Sequence, residues 1–535
     1  MAELSFDAVV FDLDGVVTKT ALVHASAWKA VFDECLLDRE RAGGDPFKEF
    51  THENDYLPYV DGKPRYEGVQ SFLESRGIDL PYGQPDDSPE KETICGVGNR
   101  KNIKFVELLD KNGVEEYPST VKLIKTLKEK GVRIGVASSS KNCRYVLKAA
   151  GIEDLFETRV DGEVSARTGL KGKPEGDIFV TAASNIGARP ERSVVVEDAT
   201  SGVQAGRNGA FGLVIGIARE NNEEGLLANG ADVVVTDLEY VDTEWIDKWF
   251  QKKPRDLFLS WEKETSPEMA KLETENIKIN PCYYRTGKES IMGGKKPIFF
   301  FDYDGTLTPI VERPELAVIS DDMKGVVEHV TRKYTTAIVS GRSRENVEKL
   351  LGIKGLIYAG NHGFDISGPG VSMVYPGAEE TVPLIEEITS LLSDALSSID
   401  GILIEKKKFS VAVHYRLVNE KEVPGIEKIV KGIINGNEKV RIMNGKKVFE
   451  ILPAIAWDKG KAVRRVMEVL GCSWQDNSIL YVGDDTTDED AFRIMRTRGT
   501  SILVTEKNRP SSADFSIKTT DDVKTLLQKV LAEGK

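Results

Sequence analysis

At 535 residues the chain exceeds what one hydrophobic core supports, so two or more domains are expected. Hydrophobic residues make up 40% and charged residues 30%, the balance of an ordinary globular protein. A net charge of -14 argues against a nucleic-acid or anionic-membrane partner, yet a local cation or lysine still lets a site take a small anion.

The start, MAELSFDAVV, has no basic segment followed by an apolar one, so no signal peptide is expected, and no apolar run is long enough for a membrane span. The first strand expected is DAVVFDLD at 7–14. A helix follows, in which Trp28, Phe32 and Leu36 recur at helical spacing. VRIGVASS at 132–139 and RSVVVEDA at 192–199 are the next strands. Residues 241–295 are charged, carry Trp and Phe and show no β pattern; they read as helical pieces that end in a Gly-Gly-Lys-Lys linker. Beyond them PIFFFDYD, TTAIVSGR and SILYVGDD repeat the strand pattern, and Val463, Val466, Met467 and Leu470 mark a helix. Continuous apolar runs of this kind suit central parallel strands covered by helices on both faces. The five cysteines, Cys35, Cys95, Cys143, Cys282 and Cys472, are odd in number and lack C-x-x-C spacing, which reads as reduced thiols in a cytoplasmic protein.

Every one of these strands ends in a polar cluster, and open parallel sheets bind ligands beyond the carboxyl ends of their strands. Three such ends in each half predict two active sites. Asp12 and Asp14, and again Asp302 and Asp304, stand two apart on extended chain and so point the same way. The set suits phosphoryl transfer. An Asp302 carboxylate is ionised at neutral pH and needs no base to attack phosphorus. Asp304 would give a proton to the leaving oxygen and later take one from water. Mg2+ suits the oxygen ligands of Asp302, the Asp304 backbone carbonyl and Asp484. Ser340 and Lys459 would hold the phosphate oxygens.

Both halves resemble haloacid-dehalogenase-superfamily phosphohydrolases: a D-x-D, a strand-ending Ser, a Lys and paired acids occur in that order. The resemblance implies an α/β fold of two Rossmann-like cores in tandem. Lys173 to Asp198 and Lys459 to Asp484 both span 25 residues, but Asp12 to Ser138 spans 126 and Asp302 to Ser340 only 38. Conversely, Ser138 to Lys173 spans 35 and Ser340 to Lys459 spans 119. In this superfamily such insertions are caps that cover the site. The expected layout is a first domain at 1–240 with a helical cap at about 21–115, a linker at 241–295, and a second domain at 296–535 with an α+β cap at about 365–445.

In the second insertion Ser410, Ala412, His414 and Arg416 alternate with Phe409, Val411, Val413 and Tyr415, and the same parity carried backwards adds Lys406 and Lys408 to the polar face. Such a face fits either solvent or a phosphosugar. SGR at 340–342, GNHG at 360–363, HYR at 414–416, FEILPAIAWDKGKA at 449–462 and GDDTTDED at 483–490 resemble trehalose-6-phosphate phosphatases across nearly all of this half. That resemblance implies hydrolysis of trehalose 6-phosphate, with Asp302 as nucleophile and Asp304 as acid/base. Asp302, Asp304, Asp484, Asp485 and Asp488 gather at the Mg2+ site. Ser340, Gly341, Arg342, Lys406, Lys408, Arg416 and Glu450 contact phosphate or sugar, while Asn361 and His362 fit either a glycine-flanked loop or the site. Another phosphosugar, such as sucrose 6-phosphate or a mannosyl phosphoglycerate, is the alternative substrate.

FDLDGVVTKTALVHASAWKA, NRKN at 99–102, VASSSKN at 136–142, KGKPEGDIF at 171–179 and VVVEDATSGVQAG at 194–206 resemble β-phosphoglucomutases. By that resemblance Asp12 is the nucleophile and Asp14 the acid/base. Asp12, Asp14, Glu197 and Asp198 serve Mg2+, and Ser138 and Lys173 bind the transferring phosphate. His24 positions Asp14, or else packs in its helix. Arg65, Lys101, Ser140 and Asn142 match contacts to the second phosphate or the sugar. Lys19 and the segment LPYGQPDDSPEKET at 80–93 depart from the pattern. A mutase, a phosphatase and a non-catalytic scaffold or binding module all stay open for this half.

Overall fold

The computed structural model describes residues 4–219, 222–261, 267–293, 296–311, 313–445, 447–455, 457–474, 476–507 and 509–534. The chain forms two compact units, one of Met1–Lys252 with Pro267–Pro281, the other of Lys253–Ser266 with Cys282–Lys535.

The first unit is built on β1 (Ala8–Phe11), β2 (Arg133–Ala137), β3 (Thr158–Val160), β4 (Ser193–Glu197), β5 (Leu213–Ile217) and β6 (Val233–Val235). Two further strands follow, β7 (Arg255–Asp256) and β8 (Ile277–Ile279). The sheet order is β3-β2-β1-β4-β5-β6-β8, parallel except for β8 against β6. Every residue of β1 is buried between β2 and β4, which explains its unbroken apolar run. Between β1 and β2 lie helices Thr20–Arg41, Arg65–Ser75 and Ile94–Asn112, with an apolar cluster of their own around Trp28, Phe32, Phe50 and Phe72. Trp28 and Phe32, one turn apart, stack at 5.0 Å. The acidic 80–93 segment is a folded loop: Asp87 accepts from the Gln84 N–H, Lys91 and Thr93, and Thr93 caps the helix that follows.

The second unit carries β9 (Lys296–Phe301), β10 (Thr335–Val339), β11 (Ile357–Gly360), β12 (Asp365–Gly368), β13 (Val371–Val374), β14 (Leu403–Lys406), β15 (Val411–His414), β16 (Val440–Gly445), β17 (Val448–Pro453), β18 (Asn477–Gly483), β19 (Thr500–Val504) and β20 (Phe515–Ile517). Its main sheet runs β13-β12-β11-β10-β9-β18-β19-β20-β7. β9 sends Phe299 and Phe301 into one core and Ile298 and Phe300 into another, one on each side of the sheet. A second, antiparallel sheet, β14-β15-β17-β16, packs with helices Val382–Leu396 and Val423–Ile434 around Ile388, Leu392, Val413 and Ile451.

Two expected boundaries shift. The insertion in the second half does not span 365–445: β12 and β13 extend the main sheet as a hairpin, and β17 belongs to the smaller sheet, so the added module runs from the helices after β13 through Pro453. The 241–295 stretch does hold helical pieces, Thr243–Phe250, Pro267–Ala270 and Gly287–Met292, but two strands lie among them. β7 pairs with β20 in the second unit and β8 with β6 in the first. Strands of two and three residues are too short to print an alternating pattern, so the sequence hides them. Of the Gly-Gly-Lys-Lys linker, Gly294 and Lys295 lie outside the described residues. All five cysteines are free thiols, and among the described residues no helix is long and apolar enough to cross a membrane.

Candidate active sites

In both units the D-x-D sits where the central strand ends. Asp12 N–H donates to the Val196 carbonyl and Asp302 N–H to the Val482 carbonyl, each at 2.9 Å, so both aspartates are fixed by the neighbouring strand. Gly15 and Gly305 follow with φ of +86° and +78°. A methyl group at either position would overlap the carboxylate of Asp198 or of Asp484. Glycine is therefore required twice over, for its dihedral and for the approach of the acid.

A buried lysine bridges two carboxylates in each site. Lys459 Nζ lies 3.1 Å from Asp302 and 2.7 Å from Asp488; Lys173 Nζ lies 2.6 Å from Asp12 and also bonds Glu197. Burial alone would lower both lysines, but the paired carboxylates outweigh it and hold the ammonium groups protonated. Burial pushes Asp302 well up, with Asp488 and Asp484 adding to it and Lys459 opposing. Asp12 and Asp198 are raised in the same way, by burial first.

The lysine pairing corrects the reading of the acids. Glu197–Asp198 and Asp484–Asp485 look equivalent in sequence, but Asp488 is the residue that does what Glu197 does. Asp488 accepts from Lys459 and the Tyr481 hydroxyl on one oxygen, and from the Asp484 and Asp485 N–H groups on the other. With both oxygens so engaged, Asp488 serves first as the partner of Lys459. Asp485 accepts from the Thr486 N–H and lines the pocket mouth.

Asp302, Asp484 and Asp488 bring one oxygen each within 4.8 Å of one another, all buried. Among the described residues only this trio is so close; in the first unit Asp12 and Glu197 meet across Lys173. A magnesium ion fits the second site on this chemistry. The donors are all oxygen, and the carboxylates outnumber the one ammonium, so a dication would relieve the repulsion that raises Asp302.

Asp14 is held by three side chains: Thr20, Ser138 at 3.3 Å and His24 at 3.4 Å. Burial would raise it, but His24, Thr20 and Lys101 prevail and keep it at about 2. Lys101 Nζ lies 2.5 Å from His24 Nδ1, which turns Nε2 towards Asp14. Arg65, Lys101, Ser138, Ser140 and Asn142 line the same cavity as Asp12, Asp14, His24, Lys173, Glu197 and Asp198, so every residue expected in this site comes together. Sequence reasoning missed Thr20, Asp61, Lys141 and Asn102. Asn102 Oδ1 accepts from both Arg65 and Asn142 at 2.7 Å.

In the second site Asp302, Asp304, Ser340, Gly341, Arg342, His362, Arg416, Glu450, Lys459, Asp484 and Asp485 line one pocket. Asn361 is buried behind it with φ +50°, next to His362 at +58°. These two backbone strains hold the His362 ring against Gly341 and 3.0 Å from Glu450. Lys406 and Lys408 do not face the pocket: they are half-exposed and pair with Glu386 at 2.7 Å and Glu379 at 3.5 Å. The reason is the turn between β14 and β15. Lys406 pairs with Val411 and the Lys407 N–H closes on the Ser410 carbonyl, so alternation counted back from Ser410 breaks at the turn. Lys407 is the buried one, donating to the Gly341 carbonyl and to Glu450 at 2.8 Å each. Glu405 lines the pocket beside His414, 3.0 Å away. Lys407→Met is therefore expected to cut turnover by about a hundredfold, because it takes the ammonium away from buried Glu450 and leaves that carboxylate only Ser410 and His362, whereas Lys406→Ala changes it less than about twofold. Initial rates of phosphate release distinguish the two, and the reverse ranking would restore the alternation reading.

Residues 300–521 match the family model described as trehalose-phosphatase, and residues 6–209 the one described as haloacid dehalogenase-like hydrolase. An uncharacterized glycosyl hydrolase of Mycobacterium tuberculosis is 35% identical over 518 residues, 96% of this chain but 37% of that protein. The chain thus spans little more than a third of that relative. A β-phosphoglucomutase of Mycobacterium bovis is 44% identical over 234 residues, 43% of this chain and 89% of its own. A trehalose-phosphate phosphatase of Arabidopsis thaliana is 38% identical over 250 residues, 44% of this chain and 67% of its own.

Proposed function

From the premise that the chain belongs to the haloacid dehalogenase-like hydrolases, with a trehalose-phosphatase domain as its second half, we propose that this half hydrolyses trehalose 6-phosphate. The observation that carries the proposal is the facing of two chemistries across one pocket. Asp302 and Asp484 stand at strand ends with Lys459 at the start of the helix Lys459–Val469, and Glu405, Lys407, His414, Arg416 and Glu450 hang from the smaller sheet. The first set handles a phosphoryl group; the second offers the charged donors and acceptors that grip sugar hydroxyls.

In this mechanism an Asp302 oxygen attacks phosphorus, the bond from phosphorus to the sugar oxygen breaks, and Asp304 gives that oxygen its proton. Water then attacks the aspartyl-phosphate, Asp304 takes the water proton, and phosphate leaves with Asp302 restored. Lys459 keeps its charge beside Asp302 throughout, and Ser340 anchors the loop that faces the phosphoryl oxygens. A magnesium ion held by Asp302 and Asp484 would supply further positive charge to those oxygens. The four-stranded module acts as the cap, as the helices between β1 and β2 do in the first half.

For the first half we propose phosphoryl transfer on a β-glucose phosphate, with Asp12 and Asp14 in the roles of Asp302 and Asp304. The full set of expected side chains around one cavity favours catalysis over a scaffold. A reducing, cytoplasmic setting belongs to the same reading, supported by five free thiols. Phosphate release from a sugar-phosphate panel with Mg2+ tests the second half. Preference for sucrose 6-phosphate or a mannosyl phosphoglycerate would replace the trehalose reading. Interconversion of β-glucose 1-phosphate and glucose 6-phosphate, lost on Asp12→Asn, tests the first.

A further inference from the structure

The geometry points to Arg342 as the positioning residue for the proton carrier Asp304, a different task from the phosphate contact its motif suggests. Arg342 Nε and Nη2 reach the two oxygens of Asp304 at 2.6 and 2.7 Å, a fork-to-fork pair that fixes both the plane and the direction of the carboxylate. Among the described residues no other side chain bonds that carboxylate. The guanidinium is itself anchored on its remaining sides. Nη1 donates to Asn346 at 3.0 Å, Nη2 also donates to the Pro314 carbonyl at 2.8 Å, and the Tyr303 ring lies 5.4 Å away. Four of five N–H donors are thus committed within the protein, which leaves little for a substrate phosphate.

The first half supports the assignment by contrast. There the equivalent carboxylate, Asp14, is oriented chiefly by Thr20 and His24, both on the helix Thr20–Arg41 that follows the D-x-D, with a longer 3.3 Å bond from Ser138 in the loop after β2. Among the described residues the second half has no such helix directly after Asp304; they include a short helical turn, Pro314–Leu316, ahead of helix Asp321–Lys333. The clamp comes instead from the loop after β10. Two sites with the same D-x-D thus take the main clamp on its second aspartate from different elements.

The inference rests on the role given to Asp304 under Proposed function, in which a sugar alkoxide must gain a proton as its bond to phosphorus breaks. A nitrophenolate leaves without one. The test is therefore the ratio of kcat/KM for trehalose 6-phosphate to kcat/KM for p-nitrophenyl phosphate, both measured with Mg2+. This parameter covers the steps through departure of the leaving group, so breakdown of the aspartyl-phosphate does not enter. Arg342→Lys and Arg342→Gln, which lose the fork, are expected to lower the ratio about thirtyfold or more, within the range a general acid supplies. Asn346→Ala, which frees one corner of the guanidinium, is expected to lower it about threefold. Equal losses on both substrates, or no change in the ratio, would overturn the assignment and return Arg342 to phosphate binding. If the Arg342 variants do not fold, the Asn346→Ala ratio decides by the same rule. Wild-type protein inert towards both substrates strikes the proposed function itself, which separates the two failures.

Discussion

Asp302→Asn is expected to abolish trehalose 6-phosphate hydrolysis, by about a thousandfold or more, roughly 4 kcal/mol of lost transition-state stabilisation. The substitution is nearly isosteric at a buried position, so shape and packing survive. What it removes is the anionic oxygen that attacks phosphorus, and an amide offers no replacement. Stability is expected to hold, because burial and the neighbouring Asp484 and Asp488 already disfavour the Asp302 charge. The paired result is the informative one. Asp12→Asn should leave this hydrolysis intact and remove only the activity of the first half. Phosphate release and a thermal melt on both variants check the set. Full turnover by Asp302→Asn would sink the assignment of the second site.

Lys459→Met is expected to be the most destabilising substitution in either site, by about 3–5 kcal/mol at neutral pH. Its ammonium is buried between Asp302 and Asp488, so a thioether chain leaves two buried carboxylates without their cation. The sign of the pH dependence follows. Burial raises the folded Asp302 above its unfolded value even with Lys459 present, and loss of the lysine raises it further. A carboxyl whose folded pKa is raised favours the folded state in its protonated form. Stability therefore falls as pH climbs past the ordinary carboxylate range, more steeply in the variant than in wild type. Melting temperatures across pH 5 to 8 measure the slope. A variant with the wild-type slope would show that the lysine does not balance these acids.

What the sequence disclosed, and what it withheld, follows the physics of each element. Long apolar runs such as Ile298–Phe301 are legible because a strand covered on both faces must be apolar throughout. The D-x-D and Ser positions are legible because they stand directly beyond such strands, and the Lys because it lies 25 residues before Asp198 or Asp484 in both halves. Lys407 was hidden by a four-residue turn that resets the alternation, and the pairing of Asp488 with Lys459 by its place in the helical turn after the strand, four residues beyond Asp484. Asn102 acts through partners far along the chain, Arg65 and Asn142, while Thr20 reaches back across the turn after the D-x-D to Asp14, at neither helical nor strand spacing. Local spacing carries no trace of such contacts.

The short strands Arg255–Asp256 and Ile277–Ile279 stand in the reverse chain order of the sheets they complete. No single junction therefore separates the halves. A fragment ending at residue 240 forfeits Ile277 and Ile279, both buried at the sheet's edge. One beginning at 296 forfeits Leu257, Trp261 and Ile291, which share a core with Phe299. A gene fusion that simply butted two enzymes end to end would not have this property. Each half takes a strand from the connecting segment, so a cut anywhere within 241–295 removes part of one sheet or the other.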